Sequence, residues 1–288
     1  MSSPTTDGYY LPAPSHWPIV GSVALFLMAL GGAFYINHVS GGGWMLILGL
    51  AILVVMLFGW FGTVIRESES GAHNKQVDMS FRWSMSWFIF SEVMFFAAFF
   101  GALFYTRVLS VPWLSQGDTM TQLWNGFKGG WPSVGPGLQA EGLKFTPMEA
   151  WGIPAINTLL LLSSGVTVTW AHWGLKKNNR QQLIWGLIAT VALGISFLVL
   201  QAHEYHTAYT KLGLTLGAGV YGATFFMLTG FHGFHVTVGT LMLIVVLFRS
   251  MKGHFTPEHH FAFEGVSWYW HFVDVVWLGL FIFVYWLV

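Results

Sequence analysis

The sequence predicts an all-α membrane protein that crosses the bilayer seven times. Three observations carry that reading. Of the 288 residues, 55% are hydrophobic and only 8% charged, against about 25% charged in a typical soluble domain, so the chain has too few polar side chains to clothe a surface facing water. Apolar runs recur that reach the ~20 residues a helix needs to cross the hydrocarbon core. The runs are continuous rather than alternating, which excludes a transmembrane β-barrel.

The runs cover 18–37, 43–65, 83–106, 153–173, 182–202, 216–248 and 267–288. The first and second contain no charged residue, and the second stops at Arg66. The third holds one carboxylate, Glu92, inside SEVMFFAAFF. The fourth is built on NTLLLLSS, and the fifth to seventh are rich in Leu, Val, Phe and Trp. The sixth spans about 50 Å at the helical rise, so it must tilt or project beyond the bilayer. The seventh again holds a single carboxylate, Asp274. Sixteen tryptophans suit interfacial belts. No internal repeat or separate soluble domain stands out, so 1–288 reads as one polytopic domain.

Basic residues orient these helices. With the N-terminus inside, the inner connections hold Arg66, Lys75, Arg82, Lys176, Lys177, Arg180, Arg249 and Lys252, and the outer ones hold Arg107, Lys128, Lys144 and Lys211. Eight against four favours a cytoplasmic N-terminus and an outer C-terminus. The first residues contain no basic side chain ahead of the first apolar run, unlike a cleavable signal peptide. Between the third and fourth helices, 107–148 forms a long loop rich in Gly and Pro, suited to cover a partner on the outer face or to sit there as a tolerated insertion. Twelve basic and twelve acidic residues cancel, against a nucleic-acid partner. The absence of cysteine excludes disulfides, thiolate metal sites and a cysteine nucleophile.

Three histidine groups resemble metal boxes: His203 with His206, His232 with His235, and His254 with His259 and His260. The orientation puts them near the outer surface, within the bilayer and on the inner side, too far apart to share one metal. Haem ligation by His232, His235 or His271 competes with a plainer role, an imidazole bonded to a neighbouring helix near the small residues Gly230, Gly233 and Gly239. An ionised carboxylate facing lipid costs on the order of several kcal/mol, so Glu92 and Asp274 are expected to be protonated, partnered or beside a polar cavity. Glu92 reads either as a proton-sensitive or pathway residue or as an inter-helix hydrogen bond of structural value only, with His232 as its first candidate partner. His271 precedes Asp274 by three residues and shares its helix face.

Longer stretches resemble a known family. VIRESE at 64–69, SEVMFFAAFF at 91–100, NTLLLLSSGVTVTWAH at 157–172, LQAHEY at 200–205, VYGATFFMLTGFHGFHVTVGT at 220–240 and HHFAFEGVSWYWHFVDVVWLGLFIFVYW at 259–286 occur in order, with HWPIVG at 16–21 before them. The chain is similar to subunit III of the haem–copper cytochrome c oxidases. The resemblance implies seven helices in two bundles, I–II and III–VII, around a V-shaped cleft filled with phospholipid. It implies no haem or copper in this chain. Those would lie in the partners: haems and the binuclear copper centre in subunit I, the electron-accepting copper in subunit II. Glu92 matches the family's carbodiimide-reactive glutamate. Glu67, His73, Arg249 and His254 match its lipid-headgroup contacts, with a small alignment gap before His73. The long third connection, short in mitochondrial members, suggests a bacterial inner-membrane protein. The seven helices favour a cytochrome c donor, since quinol oxidase relatives usually carry a five-helix subunit. Two other classes compete: a proton or solute transporter using Glu92 and Asp274, and a membrane di-iron enzyme.

Overall fold

A computed structural model describes residues 10 and 12–288. The expectation about a leader rests mostly on residues outside that set. Among the described residues seven long helices form the fold: α1 Trp17–Ile36, α2 Gly42–Glu69, α3 Lys75–Phe104, α4 Ile153–Lys176, α5 Arg180–Lys211, α6 Gly219–Lys252 and α7 Phe261–Leu280. All seven are long and apolar enough to cross a membrane, counting the turns that continue α3 and α7.

Several helices outrun their apolar stretch. A hydropathy reading finds only the part that sits in hydrocarbon, whereas the helix continues as far as its ends are capped. At the start of α3, Asn74 Oδ1 accepts the Val77 amide at 3.0 Å, so the helix begins eight residues before the expected Trp83. Asn179 does the same for α5, accepting from the Gln182 amide at 3.2 Å. At the C-end of α6, Gly253 takes the left-handed conformation and returns its amide to Ser250 O. Arg180 also donates to Met251 O there.

Two helices end in π-turns. Tyr105–Ser110 follows α3 and leads into Val111–Trp113, and Phe281–Trp286 follows α7. The expected loop therefore opens as helix and is free of the third span only after Trp113. It then carries two short helices, Asp118–Leu123 and Pro136–Ala140.

The chain divides between Phe81 and Arg82 into two compact units. In the first, α1 and α2 pack closely because small residues let the backbones approach. A methyl on Gly49 would lie 2.7 Å from Met28 Cγ and 2.9 Å from Ala24 O.

In the second unit α4 to α7 surround a core that includes Trp270, Trp277, Phe197 and Leu161, all fully buried. Trp270 lies against α5 and α6, where added methyls on Gly194 and Gly239 would each come 2.9 Å from its ring. Its indole N–H donates to Ser164 Oγ at 2.8 Å, and that of Trp277 donates to Thr158 Oγ1 at 2.9 Å. Thr167 pairs with Thr190 at 2.8 Å, and Tyr205 with Thr229 at 2.7 Å. Polar contacts of this kind between membrane helices contribute about 0.6 kcal/mol each on average.

The long connection between α3 and α4 is tied to this unit rather than hanging from it. Thr146 N donates to Leu212 O at 2.9 Å and Tyr221 N to Ser133 O at 3.0 Å. Phe145 stacks on the Tyr221 ring at 5.1 Å. Gly219 makes this possible: its φ is +75°, and a side chain there would collide with Val134 O.

Candidate functional site

Glu92, on α3, meets α6. His235 Nε2 lies 2.8 Å from Glu92 Oε2, while His235 Nδ1 lies 2.6 Å from Phe231 O. A carbonyl only accepts, so Nδ1 carries a proton. The contact to Glu92 then contains one further proton, whichever group owns it. Either a protonated carboxyl donates to the Nε2 lone pair, or an imidazolium donates to a carboxylate. Both descriptions leave the pair neutral overall, which is how an acid tolerates a membrane interior.

Phe96 packs edge-on to the imidazole at 5.0 Å, Tyr269 stacks at 6.3 Å, and Tyr269 Oη donates to His235 O at 3.4 Å. The His235 side chain is 9% exposed and that of Glu92 21%. The acid thus retains an open edge.

The partner differs from the one expected. His232 turns toward α7, where its Nε2–H donates to Val273 O at 3.2 Å. It sits between Phe197 and Trp277, with 1% of its surface exposed. Three residues on a helix rotate a side chain by about 300°, or 60° the other way. His232 and His235 therefore face different neighbours, and only His235 reaches α3.

Also on α7, Asp274 approaches α4 at Gly165, where an added Cβ would stand 2.5 Å from Oδ2. His271 Nδ1 is 3.8 Å from that oxygen, and its Nε2 is 3.3 Å from Thr169 Oγ1. The Asp274–His271 group is thus separate from the Glu92 pair.

The expected lipid contacts fall in both units. In the first, Glu67 lies in the last turn of α2 and His73 follows that helix, flanked edge-on by Phe81 at 5.0 Å and Tyr10 at 5.7 Å. Burial first, and then the Glu67 carboxylate, raise the Tyr10 hydroxyl above its ordinary value. In the second, the Arg249 guanidinium lies 4.7 Å over the Phe255 ring, and His254 N donates to Arg249 O at 3.1 Å.

Two polar groups escaped the sequence reading. Glu204 lies inside the group read as a histidine box, yet His203 and His206 are exposed and Glu204 is wholly buried. Its Oε1 accepts from Tyr285 at 2.7 Å. The second group joins His172, His260 and Glu264, whose ligating atoms lie within 4.8 Å of one another. A carboxylate one turn after a histidine, His260-x-x-x-Glu264, was the available signal; the third member comes from α4, 88 positions earlier.

Seven apolar helices with paired, embedded polar groups define a polytopic membrane protein. The family model for cytochrome c oxidase subunit III matches residues 7–288. Cytochrome c oxidase subunit 3 of Marchantia polymorpha is 42% identical over 287 residues, covering 99% of this chain and 98% of that one. That of Neotragus moschatus is 40% identical over 284 residues, covering 98% and 97%. The chain belongs to the cytochrome c oxidase subunit III family. It is a subunit of an oxidoreductase complex, and not the catalytic one.

Proposed function

We propose that the chain serves a proton-pumping oxidase, which reduces oxygen to water, by bracing subunit I and by holding one proton inside the membrane at the Glu92–His235 pair. Subunits I and II are its partners and carry the haem and copper. Phospholipid headgroups contact Glu67 and His73 in one unit and Arg249 and His254 in the other. Arginine suits that role, since its planar fork bonds phosphate through two parallel hydrogen bonds. The excess of basic residues on the inner connections supports a cytoplasmic N-terminus and a periplasmic C-terminus in a bacterial inner membrane.

One observation carries the proposal: a carboxyl in the middle of an apolar helix, bonded at 2.8 Å to an imidazole whose other nitrogen is already committed. Such a pair exchanges its proton internally at no cost in net charge and presents it to the open edge of Glu92. Glu92→Gln keeps the shape and a hydrogen bond to Nε2 while removing the exchangeable proton. The assembled Glu92→Gln oxidase should contain the full haem complement but show altered proton pumping or a shorter active lifetime during turnover. Wild-type pumping and lifetime in that variant, with defects only in Glu92→Ala, would leave the pair a packing device and refute the proposal.

A further inference from the structure

The cluster at the end of α4 and the start of α7 has the composition of a divalent-cation site. His172 comes from the last turns of α4, His260 precedes α7, and Glu264 stands in its first turn. Imidazole and carboxylate together suit zinc, which takes two histidines and a carboxylate readily and leaves a fourth position for water.

The orientation of each donor favours a ligand. His260 Nδ1 lies 3.1 Å from Thr256 O, so its proton is on Nδ1 and the lone pair of Nε2 points to the cluster. A backbone carbonyl holding the far nitrogen is the usual support of a metal-binding histidine. His172 Nε2 is buried and has no hydrogen-bond partner. It stands 3.9 Å from Glu264 Oε1, and His260 Nε2 stands 4.0 Å from Glu264 Oε2. Tetrahedral zinc at about 2.0–2.2 Å from each donor sets its ligands about 3.3–3.5 Å apart. Closing the cluster therefore takes side-chain movements of roughly an ångström or less per donor.

One contact opposes the ion. Arg82 Nη2 lies 2.5 Å from Glu264 Oε2, and Lys176 stands one turn beyond His172. Arg82 has a second place to rest, since its guanidinium also lies 5.7 Å from the Phe261 ring centre. We infer that His172, His260 and Glu264 form a zinc-type cation site in which the ion competes with Arg82 for Glu264, linking the inner ends of α3, α4 and α7. Zinc then adds two positive charges as the guanidinium withdraws, and the first turn of α7 is held by metal instead of by α3.

The test is zinc chloride titrated into the assembled oxidase, with bound zinc counted after desalting and its ligands read by zinc X-ray absorption. Wild type should hold one more zinc than His172→Gln or His260→Asn, with an imidazole signature. Affinity should fall at least about tenfold in either variant, as it does when even supporting residues of metal sites are changed. Both substitutions keep a polar side chain, and haem content confirms assembly. Arg82→Gln gives an opposed check: it removes the competitor, so zinc should bind more tightly. Equal zinc in wild type and both histidine variants would overturn the site. Weaker zinc binding in Arg82→Gln would overturn the competition and show that the arginine only organises a polar network.

Discussion

His235→Ala and Glu92→Ala, made singly and together, measure the bond between α3 and α6 directly. Removing His235 costs three things. The imidazole fills space between Phe95, Phe96 and Tyr269, and truncating a large buried side chain costs about 2–5 kcal/mol. The hydrogen bond itself is worth about 0.6 kcal/mol on average between membrane helices, and at most about 1.7. Glu92 is then left without its partner, but its open edge lets it relax, so the unsatisfied-group cost should sit near the lower end of about 1–3 kcal/mol. The sum for His235→Ala is roughly 4–8 kcal/mol, dominated by packing. The double-mutant cycle cancels the packing and isolates the pair, so the coupling should be about 0.6–1.7 kcal/mol, or roughly 3- to 18-fold in the equilibrium constant. Denaturant or thermal release of this subunit from the detergent-solubilised complex gives the four stabilities. A coupling within the scatter of independent sites, about 0.3–0.5 kcal/mol, would mean that the 2.8 Å contact does not join the helices and that the proton-holding argument fails with it.

Other substitutions address other parts of the structure. Tyr285→Phe strips the hydroxyl from buried Glu204 and should lower stability by about 1–3 kcal/mol, seen as an earlier melting transition; an unchanged transition would show that Glu204 finds another partner. Gly219→Ala drives a methyl into the Val134 carbonyl at a positive φ, so the connection between α3 and α4 should be cleaved faster by protease while haem content stays normal; unaltered cleavage would count against the loop being anchored there. Arg249→Ala should leave less phospholipid on the purified complex by mass spectrometry, whereas equal lipid would remove Arg249 from the headgroup contacts. The purified chain alone should show no haem absorption band and no stoichiometric copper or iron, and a Soret band surviving purification would contradict the cofactor-free reading.

The sequence alone determined the solvent, the class and the number of elements. With 8% charged residues and seven apolar runs, no soluble arrangement was open, and backbone groups in lipid must bond within their own helix. The family was also legible, because its motifs extend from the second helix to the C-terminus. Helix ends were less so. Asn74 and Asn179 lengthen α3 and α5 through local hydrogen bonds, which an apolar run does not record. Pairing was decided only by the tertiary structure. On paper His232 was the first candidate partner for Glu92, but the rotation of α6 against α3 and α7 turns His232 to Val273 and brings His235 to the acid instead. Glu204 was hidden beside two exposed histidines until the approach of α7 placed Tyr285 over it. His172 and Glu264 meet across 92 positions because the connection after α6 brings the start of α7 back to the C-terminal end of α4. Hydropathy is a property of each segment taken by itself, whereas a polar site inside a bundle depends on which face each helix turns to its neighbours, and that is set by close-packed contacts such as Trp270 against Gly194 and Gly239.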